Sequence, residues 1–356
     1  MLKRENFTRE HMETLLRENP SVDPLLLERM VFAFGLLEAL KQAGTPFIFK
    51  GGTSLLLLLP EPHRLSTDID ILVEPGCDIV GFVEKTAAIF PFLGYSEQKR
   101  QSTGTLEKRH FRFDYRSLDG ERIFRILLDV VFEPNPYPRL LSKEIANRFL
   151  PTTGTPSFIS VPSVESILGD KLTAFAPHTV GIPFRVLRPD GSETEKRMEV
   201  AKQFFDVGQL ISQAADFQEI RLAHDRVARL EIGFRGLDIT PKDCLVDTFQ
   251  CALSLLCHGA FSRENHSLLL DGIQRLRSHL FGIRFDGETA YKSGADIALL
   301  TAGMIRGIDV LRLRIPDQPL FRDVPNNRLN RLKKLDPETF NRTAFALRLM
   351  ERPETL

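Results

Sequence analysis

The chain has 356 residues, 42% of them hydrophobic and 26% charged, a composition able to bury real cores in two or three domains. Its 47 Lys and Arg balance 47 Asp and Glu, so no global field draws it onto nucleic acid or an anionic membrane. Four cysteines in such a length do not make a disulfide framework, no apolar run approaches the roughly 20 residues that span a bilayer, and the start has no apolar signal core, which together predict a cytoplasmic protein with no membrane partner.

In chain order, Asp23–Ala43 repeats Leu26, Met30, Phe34 and Leu37 at helical spacing, with Asp23 as N-cap and Gly44 as stop. Phe47–Phe49 is a short strand, Lys50-Gly51-Gly52 breaks it, and Thr53–Leu59 opens a buried helix that Pro60 and Pro62 end. Asp68–Val73 is a second strand, stopped by Pro75 and Gly76, and Ile79–Phe90 is a further helix. Glu107–Arg116 has period two, with Phe111, Phe113 and Tyr115 on one face and His110, Arg112 and Asp114 on the other. After a turn at Asp119-Gly120, Arg122–Phe132 alternates again, placing Asp129 with Arg125, Leu127 and Val131 on the face opposite Leu128 and Val130. Ser163–Ala176 is a capped helix, Arg185–Lys196 a hairpin turning at Pro189-Asp190-Gly191, and Glu195–Ala215 a helix. Beyond it the periodicity is mostly helical, strongest at Asp243–His258, Asn265–Leu280 and Ser293–Leu311. The pattern predicts an α+β fold built on a small mixed sheet, not an alternating doubly wound one.

The chemistry concentrates between Lys50 and Asp70. Asp68 and Asp70 are two apart on a predicted strand, so they share a side while Ile69 and Ile71 face the core. Paired carboxylates repel, and a hard divalent cation, Mg²⁺ or Mn²⁺, is their simplest stabiliser. Asp129, isolated in a hydrophobic strand, is the candidate third carboxylate, expensive to bury unpaired. Gly51 and Gly52 sit between strand and helix, where free backbone N–H groups and the helix dipole accept phosphates, and Thr53 and Ser54 add hydroxyl donors. Phosphates beside a metal-binding acid pair imply an NTP with its metal, the division of labour of nucleotidyl transfer. Taken singly, the glycine pair is an ordinary turn and the Asp-x-Asp a solvated strand end; their conjunction with Asp129 carries the functional reading.

The pattern KGGTSL…RLSTDIDI (Lys50–Leu55, Arg64–Ile71) resembles the AbiEii/AbiGii toxin family of nucleotidyltransferases, within the DNA polymerase β-like nucleotidyltransferase superfamily. The likeness continues through Ile126–Phe132, Gly169–Gly181 and Lys202–Leu210, covering roughly residues 30–215. The resemblance implies a polymerase β-like mixed sheet with helices, followed by a mainly helical C-terminal region. The expected organisation is a helical segment at 1–43, a nucleotidyltransferase core at 44–150, a helical and hairpin region completing the active site at 151–240, and C-terminal helices at 241–356. It further implies Mg²⁺-dependent transfer of a nucleotide, ATP among the candidates. The acceptor would be RNA such as a tRNA 3′ end, and the setting a type IV toxin–antitoxin or abortive-infection system with a cognate antitoxin. By the same resemblance Asp68, Asp70 and Asp129 are metal ligands, Ser66 and Arg64 contact the nucleotide phosphates, Lys171 neutralises triphosphate charge, and Asp206 is a later catalytic acid. Gln203 stands where the family often has an acid, just after Lys202. Nucleotidylation of a protein or small molecule, and a catalytically silent nucleotide- or partner-binding module, are the alternatives.

Weaker signals remain. Basic residues over Lys99–Arg125 and Asn326–Lys334 read equally as phosphate-tracking patches or solvated faces. Cys244, Cys251 and Cys257 lack chelating spacing and read as core, and His178 reads as structural.

Overall fold

The computed structural model describes residues 1–98, 107–188, 190–259, 261–316, 318–321, 324 and 326–351. Lys99 and Arg100 of the first basic stretch, and Pro189 of the expected hairpin turn, lie outside the described residues. The chain divides into two units, Met1–Ser163 with Ser278–Ile283, and Val164–Arg277 with Arg284–Leu356. The expected segments 1–43 and 44–150 fall together in the first unit, and most of 151–356 in the second.

In the first unit, helix α1 (Arg9–Glu18) precedes α2 (Pro24–Gln42), which the Asp23 carboxylate caps by accepting from Leu26 N–H at 2.8 Å. Helix α2 is buried nearly all round, so it is an interior helix rather than an amphipathic one. Its acid Glu38 is satisfied there by Leu2 N–H at 2.6 Å and the Ser157 hydroxyl at 2.9 Å. There follow β1 (Ile48–Lys50), α3 (Gly51–Leu58), β2 (Ile69–Val73), α4 (Ile79–Ala87), β3 (Phe92–Glu97), β4 (Lys108–Arg116), β5 (Ile123–Phe132), β6 (Leu140–Glu144) and β7 (Phe158–Pro162). The seven strands make one mixed sheet in the order β3-β4-β5-β2-β1-β7-β6. Strand β2 lies near its middle, parallel to β5 and antiparallel to β1. Ile69, Ile71, Leu128 and Val130 are essentially unexposed, which sets the opposite pleat, with Asp70 and Asp129, on the other face.

The second unit contains α5 (Val164–Ala174), the hairpin β8 (Arg185–Leu187) and β9 (Glu193–Glu195), α6 (Arg197–Ile211), α7 (Phe217–Arg235), α8 (Pro241–Leu256), α9 (Arg263–Leu276), α10 (Ala290–Arg306), the short α11 (Asn327–Asn330) and α12 (Leu332–Leu335), and α13 (Pro337–Glu351). Close helix crossings fall at glycines. A Cβ on Gly169 of α5 would come within 2.6 Å of the His224 backbone nitrogen of α7. One on Gly272 of α9 would come within 2.2 Å of the Arg197 carbonyl oxygen of α6. Cys244, Cys251 and Cys257 are buried free thiols, as the core reading expects.

Candidate active site

The site grows from the junction of β1 and α3. Gly51, at φ +78°, turns the chain from strand straight into helix with no loop between. The helix therefore begins at Gly51, earlier than the Thr53 start that the sequence suggests. The side chain of the N-cap residue, Lys50, makes no capping bond, and the first turn of this eight-residue helix lies against Asp70 of β2.

Strand register then sets a row of polar groups across the sheet. Lys50 of β1 is opposite Asp70 of β2, Asp70 is opposite Asp129 of β5, and Asp129 is opposite His110 of β4. Directly opposed residues in a sheet project from the same face, so a cation, two acids and an imidazole stand in line. His110 Nδ1 lies 2.6 Å from Asp129 Oδ1, with both side chains partly exposed. The Lys50 ammonium lies 5.7 Å from the Tyr137 ring centre. Asp68 stands one residue before β2, exposed, and its carbonyl oxygen accepts the Thr53 hydroxyl proton at 2.5 Å.

The two glycines have distinct neighbours. A Cβ on Gly51 would fall 2.0 Å from Asp70 Oδ2, so the Asp70 carboxylate is seated against the bare backbone of the helix start. A Cβ on Gly52 would fall 2.6 Å from Arg64 Nη2 and 3.2 Å from Ser66 Oγ. Arg64 is buried, and its Nη1 donates to the Leu65 carbonyl oxygen at 3.3 Å. A guanidinium, a hydroxyl and the positive end of a helix thus meet at Gly52, a combination that accepts phosphate oxygens. Thr53 and Ser54 do not extend it. Both are fully buried, and their hydroxyls donate to the carbonyls of Asp68 and Gly51 (the latter at 2.8 Å), so the expectation that they present donors to phosphate is corrected. They clasp the helix start to the β2 approach instead.

A divalent cation fits the acid pair better than it fits a full protein cage. Among the described residues no three His, Cys, Asp or Glu side chains are grouped as a metal site. Asp70 and Asp129 nevertheless stand at one level on adjacent strands, with hard oxygen donors. Mg²⁺ typically takes one or two carboxylates together with water and substrate phosphates, which such a pair can provide.

In the second unit, Lys171 of α5 and Asp206 of α6 form a buried ion pair, Nζ to Oδ2 3.0 Å, with side-chain exposures of 9% and 2%. Lys171 also donates to Gln203 Oε1 at 2.8 Å. Gln203, the residue that departs from the family pattern, therefore supplies a neutral acceptor to the motif lysine. The structure thus pairs the two later motif residues, Lys171 and Asp206, with each other. His178 is structural, its Nε2 3.1 Å from Asn265 Oδ1 and its backbone N–H donating to Asp247 at 2.7 Å. In the first basic stretch Arg109 pairs with Glu97 and Arg125 with Asp114, each near 2.9 Å or closer, which favours a solvated, ion-paired sheet face over a phosphate track.

A family profile for the nucleotidyl transferase AbiEii toxin of type IV toxin–antitoxin systems matches residues 35–281, more than half of the chain. The chain belongs to the AbiEii nucleotidyltransferase toxin family. Solved structures similar to this AbiEii chain include the Helicobacter pylori protein JHP933, at 16% identity and TM-score 0.46, covering 79% of this chain and 95% of that one. A candidate nucleotidyltransferase of H. pylori stands at 15% and 0.46, covering 81% and 99%. The AbiEii chain finds no match among curated proteins.

Two residues in line with the acids of the candidate site, Lys50 and His110, are not singled out by the sequence. Lys50 was visible as the residue before the glycines. His110 had a signal in its period-two place opposite Phe111 and Phe113, but only the register of β4 with β5 sets it against Asp129.

Proposed function

We propose that the first unit binds an NTP with Mg²⁺ or Mn²⁺ and transfers its nucleoside monophosphate to the hydroxyl at an RNA 3′ end, a tRNA in the first instance, and that a cognate antitoxin restrains this activity. The observation that carries the reading is the seating of Asp70 against Gly51, in register with Asp129, with Arg64 and Ser66 converging on Gly52.

Asp70 and Asp129, with Asp68 nearby, would hold the metal ion, which when bound would neutralise triphosphate charge and polarise the α-phosphorus. The N–H groups at Gly51 and Gly52, the Arg64 guanidinium and the Ser66 hydroxyl hold phosphate oxygens and fix the direction of the pyrophosphate leaving group. Lys50, opposite Asp70, adds positive charge on the side away from Asp129. The acceptor oxygen forms a bond to the α-phosphorus as the bond to the bridging oxygen breaks, and pyrophosphate carries away that electron pair. Asp206 is held in its pair with Lys171, and Asp129, at the edge of the acid pair, takes the acceptor proton. His110, 2.6 Å from Asp129, orients that carboxylate.

The test is incubation with α-labelled NTPs, Mg²⁺, total tRNA and cell extract. Label on RNA 3′ ends, lost in Asp70→Asn by about three orders of magnitude (~4 kcal/mol of barrier) with an unchanged circular dichroism spectrum, is the expected result. Label confined to a protein or metabolite would overturn the RNA acceptor. Full transfer by Asp70→Asn would overturn the site.

A further inference from the structure

A separate cavity lies in the second unit, outside anything the first unit's site involves. It has a volume of about 740 Å³ and is lined by His258, Glu288, Tyr291, Arg328, Arg331, Leu332, Leu335 and Asp336. All but His258 lie beyond residue 281, where the family match ends. His258 follows the end of α8 at φ +49°, and among the described residues it is the one non-glycine with positive φ. Glycine or asparagine usually takes that place after a helix. A histidine held there gives up local stability for the position of its ring. Tyr291 holds the ring and Arg328 holds the backbone that carries it. The Tyr291 hydroxyl stands 3.1 Å from Nε2, with the two rings edge to face at 5.2 Å. Arg328 donates to the His258 carbonyl oxygen at 2.6 Å. Burial and the nearby His266, Arg328 and Arg331 hold the imidazole below its usual pKa, so it is a neutral aromatic surface at pH 7 in a locally positive field. The exposed Arg331 guanidinium makes no hydrogen bond or ion pair with any described residue, and it lines the cavity with its planar fork of donors.

We propose that this cavity binds a phosphorylated nucleoside unit, free or within a single-stranded RNA. Arg331 and Arg328 take the phosphate, Tyr291 and His258 make the platform for the base, Leu332 and Leu335 cover its apolar edge, and the Glu288 carboxylate accepts from an exocyclic amine. An acid in that place favours guanine, adenine or cytosine over uracil, which has no amine to donate.

The full-length protein is tested without divalent metal, by anisotropy with a labelled, 3′-phosphate-blocked tetraribonucleotide and by calorimetry with the four nucleoside 5′-monophosphates. Arg331→Ala is expected to weaken binding about tenfold and to lower the salt slope by about 0.7. Tyr291→Ala is expected to weaken it about tenfold, and Tyr291→Phe, which keeps the ring but loses the hold on His258, by about threefold. Glu288→Gln is expected to narrow the discrimination against uracil. Binding of monophosphates with this pattern identifies a free nucleotide, and binding of the oligonucleotide alone identifies a strand; either supports the proposal. No binding of either probe, equal binding by Arg331→Ala with an unchanged melting temperature, or displacement by inorganic phosphate as readily as by nucleotide overturns it.

Discussion

At the residue scale, Gly51 and His110 decide how well the acids are placed. Alanine at Gly51 meets two obstacles, a backbone at φ +78° and the Asp70 carboxylate 2.0 Å from the new methyl. The left-handed conformation alone costs an L-residue about 1–2 kcal/mol. Asp70 must also leave its seat, so Gly51→Ala is expected to lose transfer by at least a hundredfold while stability falls by only a few kcal/mol, read from parallel urea melts and labelling assays. A variant that melts earlier yet keeps its turnover would mean that Asp70 is not held by this contact. His110 acts one step further out. Groups that orient a metal-binding carboxylate typically matter 10- to 100-fold in metal affinity or activity. His110→Ala is therefore expected to raise the Mg²⁺ concentration for half-maximal transfer by such a factor, with His110→Asn recovering part of it through its amide donor. An unchanged Mg²⁺ titration in His110→Ala would leave the histidine a surface residue.

At the scale of elements, the strand–glycine–helix junction and the alternating strands were legible because each has a local signature: period two in β4 and β5, glycines at a turn, prolines at an end. Strands β3, β6 and β7 were not anticipated. The first carries Gly94 mid-strand, and the others are five residues long with little alternation, so what defines them is pairing with partner strands, β4 for β3 and the distant β1 for β7. The roles of Lys171 and Asp206 were equally hidden, because the pair joins two helices and neither helix shows it alone. Removing one partner of a buried ion pair leaves the other charge uncompensated and typically costs about 3–5 kcal/mol. Lys171→Met is expected to destabilise the second unit by that order, and Lys171→Met with Asp206→Leu to recover most of it, as measured by chemical denaturation. If Lys171→Met melts as the wild type does but loses NTP affinity, the lysine serves the triphosphate and the ion pair is incidental.

At the scale of the whole chain, the mainly helical C-terminal region was readable from periodicity, while the division into units was not. Ser278–Ile283 returns to the first unit through Leu65 N–H to the His279 carbonyl at 3.3 Å and Phe281 N–H to the His63 carbonyl at 3.0 Å, a pairing too short to leave any pattern in sequence. With a formal charge of zero at pH 7, global self-repulsion is small near neutrality, and individual buried groups set the response to acid. His224 is the main one on the destabilising side. It is buried where α7 meets Gly169 of α5, its Nε2 has no partner among the described residues, and burial pushes its pKa from 6.5 down to about 4. In the unfolded chain the ring binds a proton below about pH 6.5, in the folded chain only below about 4, so the unfolded state holds more protons in that window. Stability from this residue is therefore complete above pH 6.5 and is lost as pH falls to 4, by about 3 kcal/mol. Asp247 and Asp296 work the other way, since burial raises their carboxyls and protonation relieves them as pH falls. A comparison that cancels those two is needed, and His224→Leu provides it by replacing the imidazole with an apolar group of similar bulk. The difference in unfolding free energy between variant and wild type should shift in the variant's favour by about 3 kcal/mol between pH 7 and pH 4. If the two stability profiles stay parallel across that range, the His224 ring takes its proton in the fold as readily as in the unfolded chain, and the acid sensitivity of the second unit lies elsewhere.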